Sequence, residues 1–180
     1  MGMKEILSSI EGEWRRYKVL GDGALAQTRD DELAVSGPGD GNSIAVIVAH
    51  LAGNLKSRFT DFLRTDGEKS WRDRDAEFVS HPDITRHDLL KNWESGWSIL
   101  FAALEPLTDA DLSRTVMIRR EKFFVYEALH RLLAHTSYHV GQMVYLAKAF
   151  RGKEWNYLTI PPGQSQEYNR NPTHEKPPRS

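Results

Sequence analysis

The chain has 180 residues, 39% of them hydrophobic, 10% aromatic and 27% charged, which is the size and apolar content of one ordinary folded domain rather than of a disordered segment. Lys+Arg 24 against Asp+Glu 25 leaves a formal charge of -1, so no excess of base favours a nucleic-acid partner. The absence of cysteine excludes a disulfide framework, a Cys-ligated zinc or iron–sulfur site and a protein-borne thiol nucleophile.

The N-terminal stretch MGMKEILSSIEGEW lacks the apolar segment of a signal peptide. The longest apolar runs, 44–49 and 99–104, fall far short of the ~18–20 residues of a membrane span. A soluble, cytoplasmic protein with no membrane partner is the expectation.

Helix one starts almost at once, with Met3, Leu7, Ile10, Trp14 and Tyr17 on one stripe; past Gly21 and Gly23 the pattern blurs through Asp31. The breaker cluster SGPGDGN at 36–42 reads as a loop. Ser43 is an N-cap for a second helix with Ile44, Ile47, Val48, Leu51, Leu55, Phe59 and Phe62 on one broad face, expected to run to about Leu63. Residues 64–82 are charged, aperiodic and interrupted by Gly67 and Pro82. Connections longer than ~12–15 residues are uncommon and often functional, but the simplest reading is a solvated crossover.

Thr85 and Asp88 form a capping signal for a third helix carrying Leu90, Trp93, Trp97, Leu100 and Leu104, ended by Pro106. Val116 and Ile118 alternate with polar neighbours in a short extended segment from which no sheet is expected. The longest helix follows, from about Phe124 to Phe150, with Gly152 at its end. Five of the 8 prolines fall in 161–180, which should lie extended on the surface. The pattern predicts an all-α four-helix bundle over 1–160 with a long crossover between helices two and three, followed by a Pro-rich tail.

Of seven histidines, His135 and His139 stand four apart on the fourth helix. Their rings therefore point within roughly 40° of each other and about 6 Å apart along the axis, so one divalent ion can reach both. They border the apolar stripe of Ala128, Leu132 and Leu146 and should look inward. His50 follows six apolar residues on helix two, and an imidazole there must be satisfied by a hydrogen bond or a metal. Asn54 and Asp61 near the same helical face keep the hydrogen-bonded alternative open.

Glu127 and His130 form one Glu-x-x-His where a di-iron bundle needs two. His130 is also about 140° from His135 in projection, which leaves it partly exposed or behind the site. His81, His87 and His174 show no ligand spacing. Trp14, Trp93 and Trp97 read as core, whereas Trp71 and Trp155 stand in polar contexts that suit a pocket or interface.

The segments AHLAGN, HTSYHVGQ and IPPGQSQEYN, over a span of roughly 3–169, resemble the DinB/YfiT-like family of bacterial metal-binding four-helix proteins, in a branch of mostly unassigned function. The resemblance implies an up-down-down-up path. It also implies a divalent metal held by His50, His135 and His139, with zinc or nickel the expected ion, and homodimers. Some relatives use such a site with a low-molecular-weight thiol. Three imidazoles with open positions suit catalysis more than a structural site. Without cysteine, a thiol would come from outside. The expected function is metal-dependent transfer of a small external thiol to an electrophilic small-molecule substrate. The alternatives are a metal-hydroxide hydrolase and a non-catalytic metal-binding stress-response protein. Asn54, Arg58 and Gln142 face the right way to orient substrate or ligands.

Overall fold

The computed structural model describes residues 3–173, and these are mostly helical, with four long helices and one small sheet. The long helices are α1 (Glu5–Gln27), α2 (Ile44–Phe59), α3 (Arg86–Leu104) and α4 (Val125–Arg151). They share one apolar core centred on Trp14, Trp93, Trp97, Leu51, Leu129 and Met143. The Trp14 indole meets Phe59 and Trp97 edge-on, at 5.8 and 6.1 Å between ring centroids. Among the described residues no helix is long and apolar enough to cross a membrane.

Helix α1 continues through both glycines at which its periodicity blurs. A Cβ at Gly21 would stand 2.5 Å from the Trp93 ring, and one at Gly23 would stand 2.6 Å from Leu158. These glycines admit neighbours, so the missing side chains mark contacts and not a helix end. Ser43 and Thr85 cap α2 and α3 as expected, accepting from the N–H groups of Val46 and Asp88.

Helix α2 stops at Phe59 rather than Leu63, because Thr60 is extended and Asp61 has φ 50. Phe62 still reaches the core and packs on Phe59 at 5.1 Å. The apolar stripe therefore outlasts the helix, and Asp61 is exposed beyond its end.

The all-α expectation needs one correction. Strands β1 (Thr115–Ile118) and β2 (Glu121–Phe124) form an antiparallel hairpin in the register Val116↔Phe123. Its two turn residues, Arg119 and Arg120, both have positive φ, at 54 and 66, where Asn-Gly or Asp-Gly is the recognisable signal. The turn is held from outside. Asp66, in the crossover, accepts from the N–H groups of Arg119 and Arg120 at 2.8 and 2.7 Å and from that of Glu68 at 2.7 Å. No local motif announces a turn stabilised this way.

At one end of the bundle, Arg86 at the start of α3 donates to the carbonyls of Leu25 and Thr28 at the close of α1. Ala45, at the start of α2, donates to Leu33 just beyond α1. At the other end, Asp109 accepts from Ile6 and Leu7, and Val125 donates to Arg114. The chain after α4 packs back onto the bundle, burying Trp155 and seating Leu158 on Gly23. The tail read as wholly extended contains one helical turn, α5 (Ser165–Tyr168), in a proline-free stretch closed by Tyr168 N–H to Gln164 O at 2.9 Å. The last part of that tail, with His174, lies outside the described residues.

Candidate metal centre

Helices α2 and α4 bring His50, His135 and His139 together, each offering a ring nitrogen within 4.8 Å of the others'. The ring centroids stand 5.2 Å apart for His50 and His135, 4.8 Å for His50 and His139, and 4.6 Å for His135 and His139. His50 and His139 are buried and His135 is half-buried.

Two of the three imidazoles have their orientation fixed from behind. His50 Nδ1 lies 2.9 Å from Glu77 Oε2, and His139 Nδ1 lies 2.8 Å from Gln142 Oε1. Both partners accept, so each Nδ1 carries the proton and each Nε2 presents a lone pair to the shared centre, the outer arrangement that metal-binding histidines use. His135 Nδ1 is buried with no hydrogen-bond partner, and its Nε2 faces His50 Nε2 at 3.2 Å. That separation is close to the edge of a tetrahedron with Zn–N bonds of about 2.0–2.1 Å. The donor set and spacing fit a divalent cation.

Burial, then the neighbouring charges of His139 and His50, then Arg72 and Arg58, pushes His135 down to about 4. Burial also lowers His139, with the Gln142 hydrogen bond opposing and the charge of His50 adding to it. These two imidazoles are therefore neutral at neutral pH, the form that metal binding requires.

The crossover carries the partner that sequence reasoning missed. Residues read as a solvated connection turn inward at Arg72 and Glu77, whose side chains are only 2% and 10% exposed. Arg72 donates to both oxygens of Glu77 at 2.7 and 2.9 Å, and to Ser57 Oγ at 3.1 Å. Burial opposes ionisation of Glu77, but hydrogen bonds from His50 and Arg72, and then their charges, hold its carboxyl below the usual range. Phe78 covers His50 at 4.7 Å between ring centroids. The one sequence signal was Gly53, a turn after His50 on α2, where a Cβ would meet Glu77 Oε1 at 2.0 Å. At this position the helix omits a side chain so that one from the crossover can enter.

The other expected residues divide. Gln142 orients His139 and donates to the Tyr138 hydroxyl at 3.2 Å. Asn54 is buried beside the histidines with Oδ1 unpartnered. Arg58 is buried and donates to Gly67 O and Glu68. Glu127 caps α4 by accepting from Phe124 N–H at 2.8 Å, and His130 is exposed, so neither joins the cluster. His81 and His87 are also exposed. Trp71 is 58% exposed, whereas Trp155 lines a groove between α1 and α4.

Two clefts lie in this region, and one of them reaches the histidines. One, of about 480 Å³, has His50 and His135 in its wall with several arginines. The other, of about 360 Å³, is largely apolar and is bordered by Ile47, Tyr138, Gln142, Tyr145 and Leu146.

A helical bundle with three converging imidazoles, two of them locked by acceptors behind the rings, defines a class: small helical proteins with a histidine-only centre able to hold a metal ion. Within it, the chain belongs to the family described as protein of unknown function (DUF1572), a DinB/YfiT-like family whose model matches residues 2–164. Neither a curated protein nor a solved structure matches the chain.

Proposed function

We propose that the protein is a metal-dependent enzyme in which His50, His135 and His139 hold one zinc or nickel ion and a small external thiol is transferred to an electrophilic substrate. The observation that carries this reading is the convergence of three imidazoles, two of which, His50 and His139, are engaged from behind by Glu77 and Gln142. The terminal ties of α1 to the starts of α2 and α3, with the crossover between the latter two, support an up-down-down-up path.

A bound divalent ion would supply Lewis acidity at neutral pH, lowering the pKa of a small ligand in its open position. The chain supplies the rest. Glu77, kept anionic by Arg72, fixes the His50 ring, and Gln142 fixes His139. The cleft with His50 and His135 in its wall gives a small reactant access to the centre. In the transfer, the thiol gives its proton to solvent and the sulfur electron pair forms the new S–C bond. The leaving group departs with its bonding pair, or, in an addition, a proton returns to the adduct.

The test is metal content of purified protein and of His50→Ala, His135→Ala and His139→Ala, followed by conjugation of a generic electrophile with several cellular thiols. One equivalent in the parent, lost in each folded variant, together with thiol-dependent turnover, is the expected result. Ester or amide hydrolysis without thiol transfer would select a hydrolase. Metal without either activity would select a non-catalytic binder, and full metal in all three variants removes the centre.

A further inference from the structure

The cleft that opens on His50 and His135 is lined by five arginines, Arg58, Arg72, Arg74, Arg119 and Arg131, and by no carboxylate. The acids that do touch these arginines leave a positive excess. Glu68 is shared between Arg58 and Arg119, and Glu77 is taken by Arg72. Asp75, 3.7 Å from Arg74, is almost fully exposed. Arg131 has no partner among the described residues. In a chain whose formal charge is -1, this concentration of guanidinium groups is local.

Two further observations point to a ligand. Asn54 lines the same cleft, is 7% exposed and has an Oδ1 with no partner. Arg58, equally buried, is lowered by burial and then, against the opposing Glu68, by the charges of Arg72 and Arg119. An anion would relieve that crowding. Guanidinium forks match pairs of oxygens on carboxylates and phosphates and hold them in a defined orientation. The volume, about 480 Å³, is in the range of small-molecule sites and too confined for a polymer.

We infer that this cleft binds a small substrate through its carboxylate or phosphate group, with Arg131 and Arg74 at the mouth, Arg58 and Asn54 deeper, and the reacting end toward His50 and His135. This deepens the function proposed above and rests on it for the identity of the reacting end. The oxyanion contact itself needs only the chain's own arginines.

The experiment is calorimetric titration with succinate, inorganic phosphate and neutral succinamide, on metal-loaded protein and on protein stripped with chelator. Succinate or phosphate should bind both preparations, and succinamide neither. Arg131→Gln should weaken binding about tenfold, the scale of one charge-assisted hydrogen bond. Arg64→Gln, in a separate cleft, should leave it unchanged and so control for net charge. Succinate alone or phosphate alone would name the oxyanion, and either supports the inference. Equal binding of succinamide, equal loss in both arginine variants, or no binding at millimolar concentration overturns it. Metal content, measured on the same samples, reports separately on the histidine centre.

Discussion

A Cβ on Gly53 would stand 2.0 Å from Glu77 Oε1, the carboxylate whose other oxygen accepts from His50. Helix α2 thus omits a side chain so that the crossover can reach the imidazole. Gly53→Ala should displace Glu77 while adding helix propensity, and Glu77→Gln should weaken the same hydrogen bond directly. Both variants should stay folded and lose about ten- to a hundredfold in metal affinity, the usual cost of disturbing a ligand's outer partner. Chelator competition measures this, and unchanged affinity in both would show that Glu77 does not tune the site.

Arg72→Met should destabilise the metal-free protein by about 3 kcal/mol or more, because it leaves a buried carboxylate without its cation. Urea unfolding reads the change. A loss within the small range of surface ion pairs would mean that the crossover does not hold Arg72 and Glu77 as a buried pair.

Asp66 gives a pH dependence. Burial would raise it, but N–H donors from Glu68, Arg120 and Arg119, then the charge of Arg58, hold its carboxyl below the ordinary value. A depressed folded value means that its contribution is present above the ordinary aspartate pKa of ~3.9 and is lost as pH falls through the lower folded value. The parent should lose stability across that acid window, and Asp66→Asn should start less stable and show a shallower acid limb. Identical limbs would remove Asp66 as the clamp on the hairpin.

Gly21→Ala tests whether packing overrides propensity. In an open helix the change gains roughly 0.5–1 kcal/mol, but here the Cβ meets the Trp93 ring at 2.5 Å, and Trp93 is buried and donates to Asp22 at 2.7 Å. Overpacking should dominate, costing about 1–3 kcal/mol. Thermal unfolding above the parent would reverse the reading.

The same residues show what the sequence made legible. Capping by Ser43 and Thr85 and the stripes through Trp14, Leu51, Trp97 and Met143 are local, periodic signals, and they locate all four long helices. The His135–His139 pair is equally local, because a helix fixes the direction of residues four apart. His50 could be flagged as a buried imidazole needing a partner, but its partner comes from a segment with no periodicity. Glu77 and Arg72 look like any charged loop residues until Gly53 is seen as the gap they fill. The hairpin escaped for the same reason: its turn is stabilised by Asp66, whose register against Arg119 and Arg120 is a tertiary fact.

Connections between helices usually absorb insertions and deletions with little harm. The segment from Thr60 to Thr85 is pinned at Asp66 to the hairpin, at Gly67 to Arg58, and at Arg72 and Glu77 to α2. Its length is therefore a calibrated quantity. Adding or deleting one residue between Asp66 and Glu77 would shift the carboxylate relative to the imidazole while leaving every helix intact.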